Sequence, residues 1–235
     1  MTPPPATPPP DRPSPVAPPL VVAVDGPAAA GKGTLSRRLS GYYSLAYLDT
    51  GTLYRGVGWL MLREGLDPRD AGDAERTARG FHVDQLADAD VRTGDVARAA
   101  SVVAAHPGVR AALLDYQRGF AAAPPQGADG AILDGRDIGT VVCPDAEVKL
   151  FVTASPECRA ERRWRELRVG DPGVTEASVL EDIKRRDARD SSRAEAPLKP
   201  APGAHLLDTT ALSIDAAFAA ARRVIDRAME DRRAA

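Results

Sequence analysis

The sequence predicts an α/β domain, a parallel sheet of five strands flanked by helices on both faces. Three observations carry this. Short continuous apolar runs such as LVVAV (20–24), AILD (131–134) and VKLFV (148–152) suit strands buried on both sides. Helical segments separate the runs, and helical crossovers lay successive strands parallel. The first run opens directly into a glycine-rich turn, DGPAAAGKGT (25–34), where a helix begins.

The elements follow in order. Residues 1–19 hold ten of the 21 prolines, which suit neither helix nor ladder, so a disordered, partly polyproline II, inert tail is expected there. The folded domain is expected over 20–235. After the glycine turn a helix is predicted from Gly31 to about Ser40, with Leu35 and Leu39 on one face. LAYLD (45–49) is the second strand, and Thr50 stands where it can cap the next helix, which carries Leu53, Val57, Leu60 and Met61 on one stripe. Residues 64–98 are polar, acidic and weakly periodic, and they read as an inserted lobe poor in core residues. Helices are predicted near 96–105 and 107–121, with Pro107 in the first turn of the second. Pro124-Pro125 then breaks the chain before the third strand. Ser155-Pro156-Glu157 is a helix start, opening an arginine-rich helix to about Leu167. A Gly-Asp-Pro-Gly break (170–173) precedes a helix over 176–192, a fifth strand AHLLD (204–208) and a closing amphipathic helix over 213–229.

Composition narrows the function. A net charge of −2 gives no global pull toward nucleic acid or an anionic membrane. No apolar run approaches the ~18 residues of a membrane span. Cys143 and Cys158 make no disulfide framework and lack metal-site spacing, so a reducing cytoplasm is expected. The three histidines are scattered. A monomer acting on small molecules, with no nucleic-acid or membrane partner, is the expectation.

Gly26-x-x-x-x-Gly31-Lys32 has P-loop spacing. In such a turn the backbone N–H groups point inward, the helix dipole is positive, and glycine lets a phosphate approach. Lys32 is one of four lysines against 27 arginines, and it would reach the β- and γ-phosphates as a mobile charge. The bland reading is an ordinary glycine turn; the strand before it and the helix after it speak against that. The expected ATP-binding segment is Gly26, Pro27, Ala28, Ala29, Ala30, Gly31, Lys32, Gly33 and Thr34. Gly33, not Ser or Thr, follows Lys32, a form closer to nucleoside monophosphate kinases than to GTPases. The sequence has no asparagine, so the Asn-Lys-x-Asp guanine motif is absent.

Three further stretches bear on the acceptor. LDTGTLYR (48–55) follows the second strand, LDGRDIGTVV (133–142) the third, and RRDARDSSR (185–193) ends a helix. With DGPAAAGKGT, in this order, they resemble bacterial cytidylate kinases over essentially everything from Leu20 to the C-terminus. The resemblance implies transfer of the γ-phosphate of ATP to CMP and dCMP with Mg²⁺, a monophosphate-binding insertion at 64–106 and a helical lid at 155–172. It assigns Arg55, Arg136 and Arg193 to the acceptor phosphate, and places Thr50 in the same site. Arg186 and Asp190 fall to the ribose, Ser101, Arg110 and Asp137 to cytosine. Arg159, Arg162 and Arg163 would close over the transferring group. Lys32, Arg136, Arg193, Arg159 and Arg163 are the expected catalytic set. Thr34, and Asp134 through water, would hold the metal. Two positions depart from the family. Ala28-Ala29 replace its usual Ser-Gly, and residues 64–98 are shorter than its inserted lobe and lack the hairpin pattern.

Chemistry argues the same way for part of this. Joining two anionic groups is mostly positioning and charge neutralisation, and forked guanidinium donors suit phosphate. A carboxylate at a strand end, Asp134, can hold the waters of Mg²⁺. Other readings remain at several positions. Asp134 and Asp137 can be turn-formers. Arg186, Asp190 and Arg193, at i, i+4 and i+7, read on periodicity alone as an exposed ion-pair row worth ~0.3–0.5 kcal/mol per pair. Arg110 read cold is a solvated charge. The rival functions are a kinase for UMP or a non-nucleotide acceptor, and a non-catalytic nucleotide switch, which would not need an arginine-lined second site.

Overall fold

The computed structural model describes residues 18–86, 91 and 93–234. Nearly all of the proline-rich tail therefore lies outside the described residues. Five strands, β1 (Leu20–Asp25), β2 (Ala46–Asp49), β3 (Gly130–Gly135), β4 (Val148–Thr153) and β5 (His205–Asp208), form one sheet in the order β2-β3-β1-β4-β5. Every pairing is parallel, as the continuous apolar runs required. β1 is central and β3 is buried along its whole length.

Helices α1 (Lys32–Tyr43) and α8 (Ile214–Ala234) cover one face, where Leu35, Leu39, Ala221 and Ile225 pack on Val22, Val24, Ile132 and Leu150. On the other face α5 (Pro107–Ala122) and a five-residue π turn (Ile138–Val142) cover Ala23, Leu133 and Ala131. Apart from the sheet, α2 (Thr50–Arg63), α3 (Ala71–Arg79), α4 (Gly94–Val103) and α5 share a separate core of Leu53, Val57, Met61, Ala74, Ala78, Val103 and Leu113. A helical pair, α6 (Pro156–Leu167) and α7 (Glu176–Ser191), encloses Ala160, Val179 and Ile183 and rests on Ala29 of the glycine turn. No described helix is long and apolar enough to cross a membrane.

Several element ends differ from the sequence expectation, each for a local reason. α1 starts at Lys32 because Gly31 sits at φ 86, outside the helical region. Thr50 does not cap α2. It is the first helical residue, and its hydroxyl donates to the Asp134 carbonyl at 2.8 Å, tying α2 to β3. The stretch 64–98 is poor in core residues, with only Ala74, Ala78 and Val96 buried among those described, yet it is more regular than its weak periodicity suggests. It contains α3, capped by Asp70, which accepts from the Asp73 amide at 2.8 Å, and it buries Ala74 and Ala78 at i and i+4. Residues 87–90 and 92 of that lobe lie outside the described residues. The π turn after β3 was not anticipated. The ends of β1 and β3 and the start of α1 meet at one edge of the sheet, the carboxyl edge where open α/β sheets place their ligands.

Candidate active site

The glycine turn wraps back over the end of β1. A Cβ at Gly26 (φ 146) would lie 1.9 Å from the Val152 carbonyl oxygen, so only glycine lets the chain pass between β1 and β4. Ala29 holds a left-handed φ of 58, at a site where the family resemblance places glycine. Lys32 is 6% exposed, and its Nζ donates to the Pro27 carbonyl at 2.9 Å, inside the loop. Burial, and after it the charge of Arg136, push the Lys32 ammonium down to about 7. A bound polyphosphate would act in the opposite sense.

Beside α1, Asp134 is 5% exposed and accepts from the Tyr47 hydroxyl at 2.6 Å. Burial, then the nearby Asp49 charge, raise its carboxyl above the usual range. Asp49 itself is ion-paired to Arg55 Nη2 at 2.6 Å, and Arg55 also donates to Thr52. Gly33 lies beside Asp134, a Cβ there falling in ordinary contact with Asp134 Oδ2 at 3.6 Å. Thr34 is exposed.

A second centre is built around Asp190, which is 1% exposed. Arg136 Nε lies 3.0 Å from it, Arg193 Nη2 2.5 Å and Arg186 Nε 4.0 Å. The row of Arg186, Asp190 and Arg193 therefore converges on a buried carboxylate, with the Arg193 side chain largely buried and that of Arg186 half-buried, and is not an exposed face, although Arg193 lies just past the end of α7. Burial works against the charged form of Asp190, but Arg136, Arg193 and Arg186 together hold its carboxyl below the usual range. Burial and the Arg136 charge push Arg186 down to about 10. Three guanidinium groups thus share one carboxylate. Among the described residues, four arginine Nε–H groups are buried with no hydrogen-bond partner; that of Arg222 is on α8, and those of Arg55, Arg186 and Arg193 belong to this region. Unpaired buried donors carrying positive charge mark a place for an anion.

A polar pair stands near this centre. Arg110, on α5, pairs with Asp137, just after β3; both are largely buried, with side-chain exposures of 11% and 6%. Burial therefore makes Arg110 something other than a solvated charge. The Tyr54 ring lies under its guanidinium, 5.8 Å from the ring centroid. Ser101, on α4, is buried and accepts from Arg189 Nη1 at 2.8 Å. Tyr54 and Arg189 were not singled out from the sequence. Tyr54 lies within LDTGTLYR and could have been taken with Arg55. Arg189 reaches to a different helix, so no spacing within its own helix marks it.

The arginines of α6 part ways. Arg159 is 3% exposed and fully engaged, with Nε on the Ala154 carbonyl, Nη1 on the Ala28 carbonyl and Nη1 and Nη2 on Asp187. In this structure it is a strut between the glycine turn, α6 and α7, because a buried guanidinium must pair its N–H groups. Arg162 holds Thr209 through its hydroxyl and carbonyl. Arg163 pairs with Glu166 on its own helix. Among the described residues, no group of three or more His, Cys, Asp or Glu side chains is placed to hold a metal ion.

A family model described as cytidylate kinase matches residues 22–227. A curated relative named cytidylate kinase, from Paramagnetospirillum magneticum, is 59% identical over 205 residues, covering 87% of this chain and 97% of its own. Those of Azorhizobium caulinodans and Rhodospirillum rubrum, with the same name, are 56% and 55% identical, covering 89% and 88% of this chain and 99% and 97% of their own. Among solved structures, an uncharacterized protein from Eubacterium ventriosum shares the fold, with a TM-score of 0.50 at 12% identity over 89% of this chain and 98% of that one.

Proposed function

We propose, from the premise that the chain belongs to the cytidylate kinase family, that it transfers the γ-phosphate of ATP to CMP and dCMP, giving ADP and CDP or dCDP. The observation that carries this reading is the set of unpaired, buried guanidinium N–H groups of Arg55, Arg186 and Arg193 beside the glycine turn and Lys32. Two anion sites lie side by side. A nucleotide switch would need only one.

In this reading residues 26–34 cradle the donor polyphosphate, with Lys32 leaving the Pro27 carbonyl for the β- and γ-oxygens. Arg55 and Arg193 hold the acceptor phosphate as forked donors. Arg186 and Asp190 meet the ribose. Asp137 accepts from the cytosine amino group, while Arg110 and Ser101 meet its acceptor atoms. Arg136, just past the end of β3 with its Nε 3.0 Å from Asp190, is assigned to the space between the two phosphates. There it neutralises charge that spreads over the equatorial oxygens as the γ-phosphoryl group passes across. The acceptor phosphate is already an anionic nucleophile, so no general base is required. Arg159 keeps the lid helix on the glycine turn, and Arg162 and Arg163 are the lid arginines placed to turn inward.

The residues present fit Mg²⁺. Asp134 is a buried carboxylate with the Asp49 carboxylate near it, and the exposed Thr34 hydroxyl adds a second hard oxygen. Asp134, through water, and Thr34 would hold the ion, which would supply charge neutralisation on the phosphates. We place the enzyme in the cytoplasm as a monomer acting on small nucleotides, in keeping with two cysteines that are free.

The test is ADP release with ATP against CMP, dCMP, UMP, AMP and GMP. Turnover is expected with CMP and dCMP; higher kcat/KM for UMP or a purine nucleotide would overturn the assignment of the base site.

A further inference from the structure

Asp25 has no part in the chemistry above, yet it is a nearly buried carboxylate, 3% exposed, one residue before Gly26. Its Oδ1 accepts from the Ile138 amide at 2.7 Å and its Oδ2 from the Gly139 amide at 2.8 Å. These are the first two residues of the π turn that follows Arg136 and Asp137. We infer that Asp25 is a positioning residue: by clamping the 138–139 backbone to the end of β1, it sets where Arg136 and Asp137 stand in the acceptor site.

Three features support this. First, the sheet brings Asp25 alongside Gly135, so the chain leaving β3 must turn sharply across the end of β1. The turn is tight, since a Cβ at Gly135 would meet Ile138 Cδ1 and Thr50 Oγ1 at 2.7 Å. Arg136 and Asp137 are the two residues between that bend and the clamp. Second, two adjacent amides aimed at one side chain need two acceptor oxygens. Only a carboxylate offers both; an amide side chain would turn its NH₂ toward one of the N–H donors. Third, the carboxylate is retained against a cost. Burial outweighs the two amide bonds and raises its pKa to about 6, and the Asp137 charge adds to this. The clamp joins the donor loop and the acceptor loop through one side chain, with Gly26 on one side and Arg136 on the other.

The inference rests on the kinase reading, and the experiment separates the two. Wild type is assayed first with CMP and ATP; absence of transfer to CMP counts against the kinase reading, and the variants are then compared on whichever acceptor the panel identifies. In Asp25→Asn one amide loses its acceptor and the turn shifts, while the glycine turn keeps its backbone. The kcat/KM for the acceptor is expected to fall roughly tenfold to a hundredfold, as for reacting groups displaced by about an ångström, with the KM for ATP within about twofold. Discrimination between CMP and UMP should narrow as Asp137 moves. Gly139→Ala disturbs the same contact from the other side, placing a methyl 3.1 Å from Ala201 Cβ and 3.4 Å from Asp25 Oδ2 while keeping the carboxylate. It carries the test if Asp25→Asn fails to fold, and the same split is expected. A KM for ATP that rises as far as kcat/KM for the acceptor falls, or unchanged values in a folded variant, would show that Asp25 only stabilises the domain and would overturn the inference.

Discussion

Lys32 rests on the Pro27 carbonyl, so its ammonium is already inside the loop that a triphosphate would line. Lys32→Ala should leave the melting temperature nearly unchanged and lower kcat by the roughly 3–4 kcal/mol of a lost transition-state donor. Steady-state kinetics beside a thermal melt checks both halves, and near-normal turnover would sink the P-loop assignment. Arg110 makes a contrasting case. Arg110→Met strands Asp137, and kcat/KM for CMP should fall about 10-fold to 100-fold, the ~1–3 kcal/mol of a buried polar group left unpaired. The KM for ATP should move little, and an unchanged preference for CMP over UMP would remove Arg110 from the base site. Asp190 links the site to stability. Its carboxyl sits below the usual range in the folded chain, so its stabilising contribution is full above the unfolded value of about 4 and is lost as pH falls through the folded value. Asp190→Asn leaves three guanidinium groups without their counter-charge and should cost about 3–5 kcal/mol at neutral pH. Melts between pH 3 and pH 8 should show the gap from wild type closing toward the acid end; a constant gap would refute the linkage. Lys32 was legible because its signal is local: a strand, a fixed glycine spacing and a helix. Arg110, Arg189 and Asp25 were not, because their partners lie 27, 88 and 113 residues away. Resemblance marked Arg110; nothing in the local sequence could mark the other two.

β1 and β3 could be read as elements because both their faces are covered, which forces unbroken apolar runs; β4 alternates and β5 leaves His205, Leu206 and Asp208 exposed. α3 escaped notice because Ala74 and Ala78, its buried positions, add little to a hydrophobic period. The π turn escaped because its cause is a carboxylate on another strand. The helical pair α6 and α7 shows how an element's arginines divide their tasks. The resemblance groups Arg159, Arg162 and Arg163 as the arginines that close over the transferring group. The structure instead buries Arg159 as a strut and leaves Arg163 on an exposed local partner. Arg159→Ala should therefore destabilise the domain by about 3–5 kcal/mol, since it leaves Asp187 and two carbonyls unpaired. Arg163→Ala should leave the melting temperature nearly unchanged and act on kcat alone. Paired melts and kinetics on the two variants check this; equal melting temperatures would show that Arg159 is not a strut.

At the scale of the whole molecule, the parallel architecture followed from alternation of strand and helix, but the strand order did not. Nothing local to β1 says that β3 and β4, not β2, flank it. That order has a consequence for how the protein is made. Leu20 pairs with Gly130 and Val22 with Val148, so the central strand leaves the ribosome well before both neighbours and waits for partners encoded far downstream. Until then the nascent chain exposes LVVAV with no ladder to join, and pairing that depends on such distant contacts is slow and open to aggregation. α1 and α2 can form early, but the sheet they cover cannot. A fragment of residues 18–127, which stops short of β3, should therefore show helical circular dichroism while its β1 amides exchange with solvent as in an unfolded chain. Protected β1 amides in that fragment would mean that the strand finds order before its neighbours are synthesised.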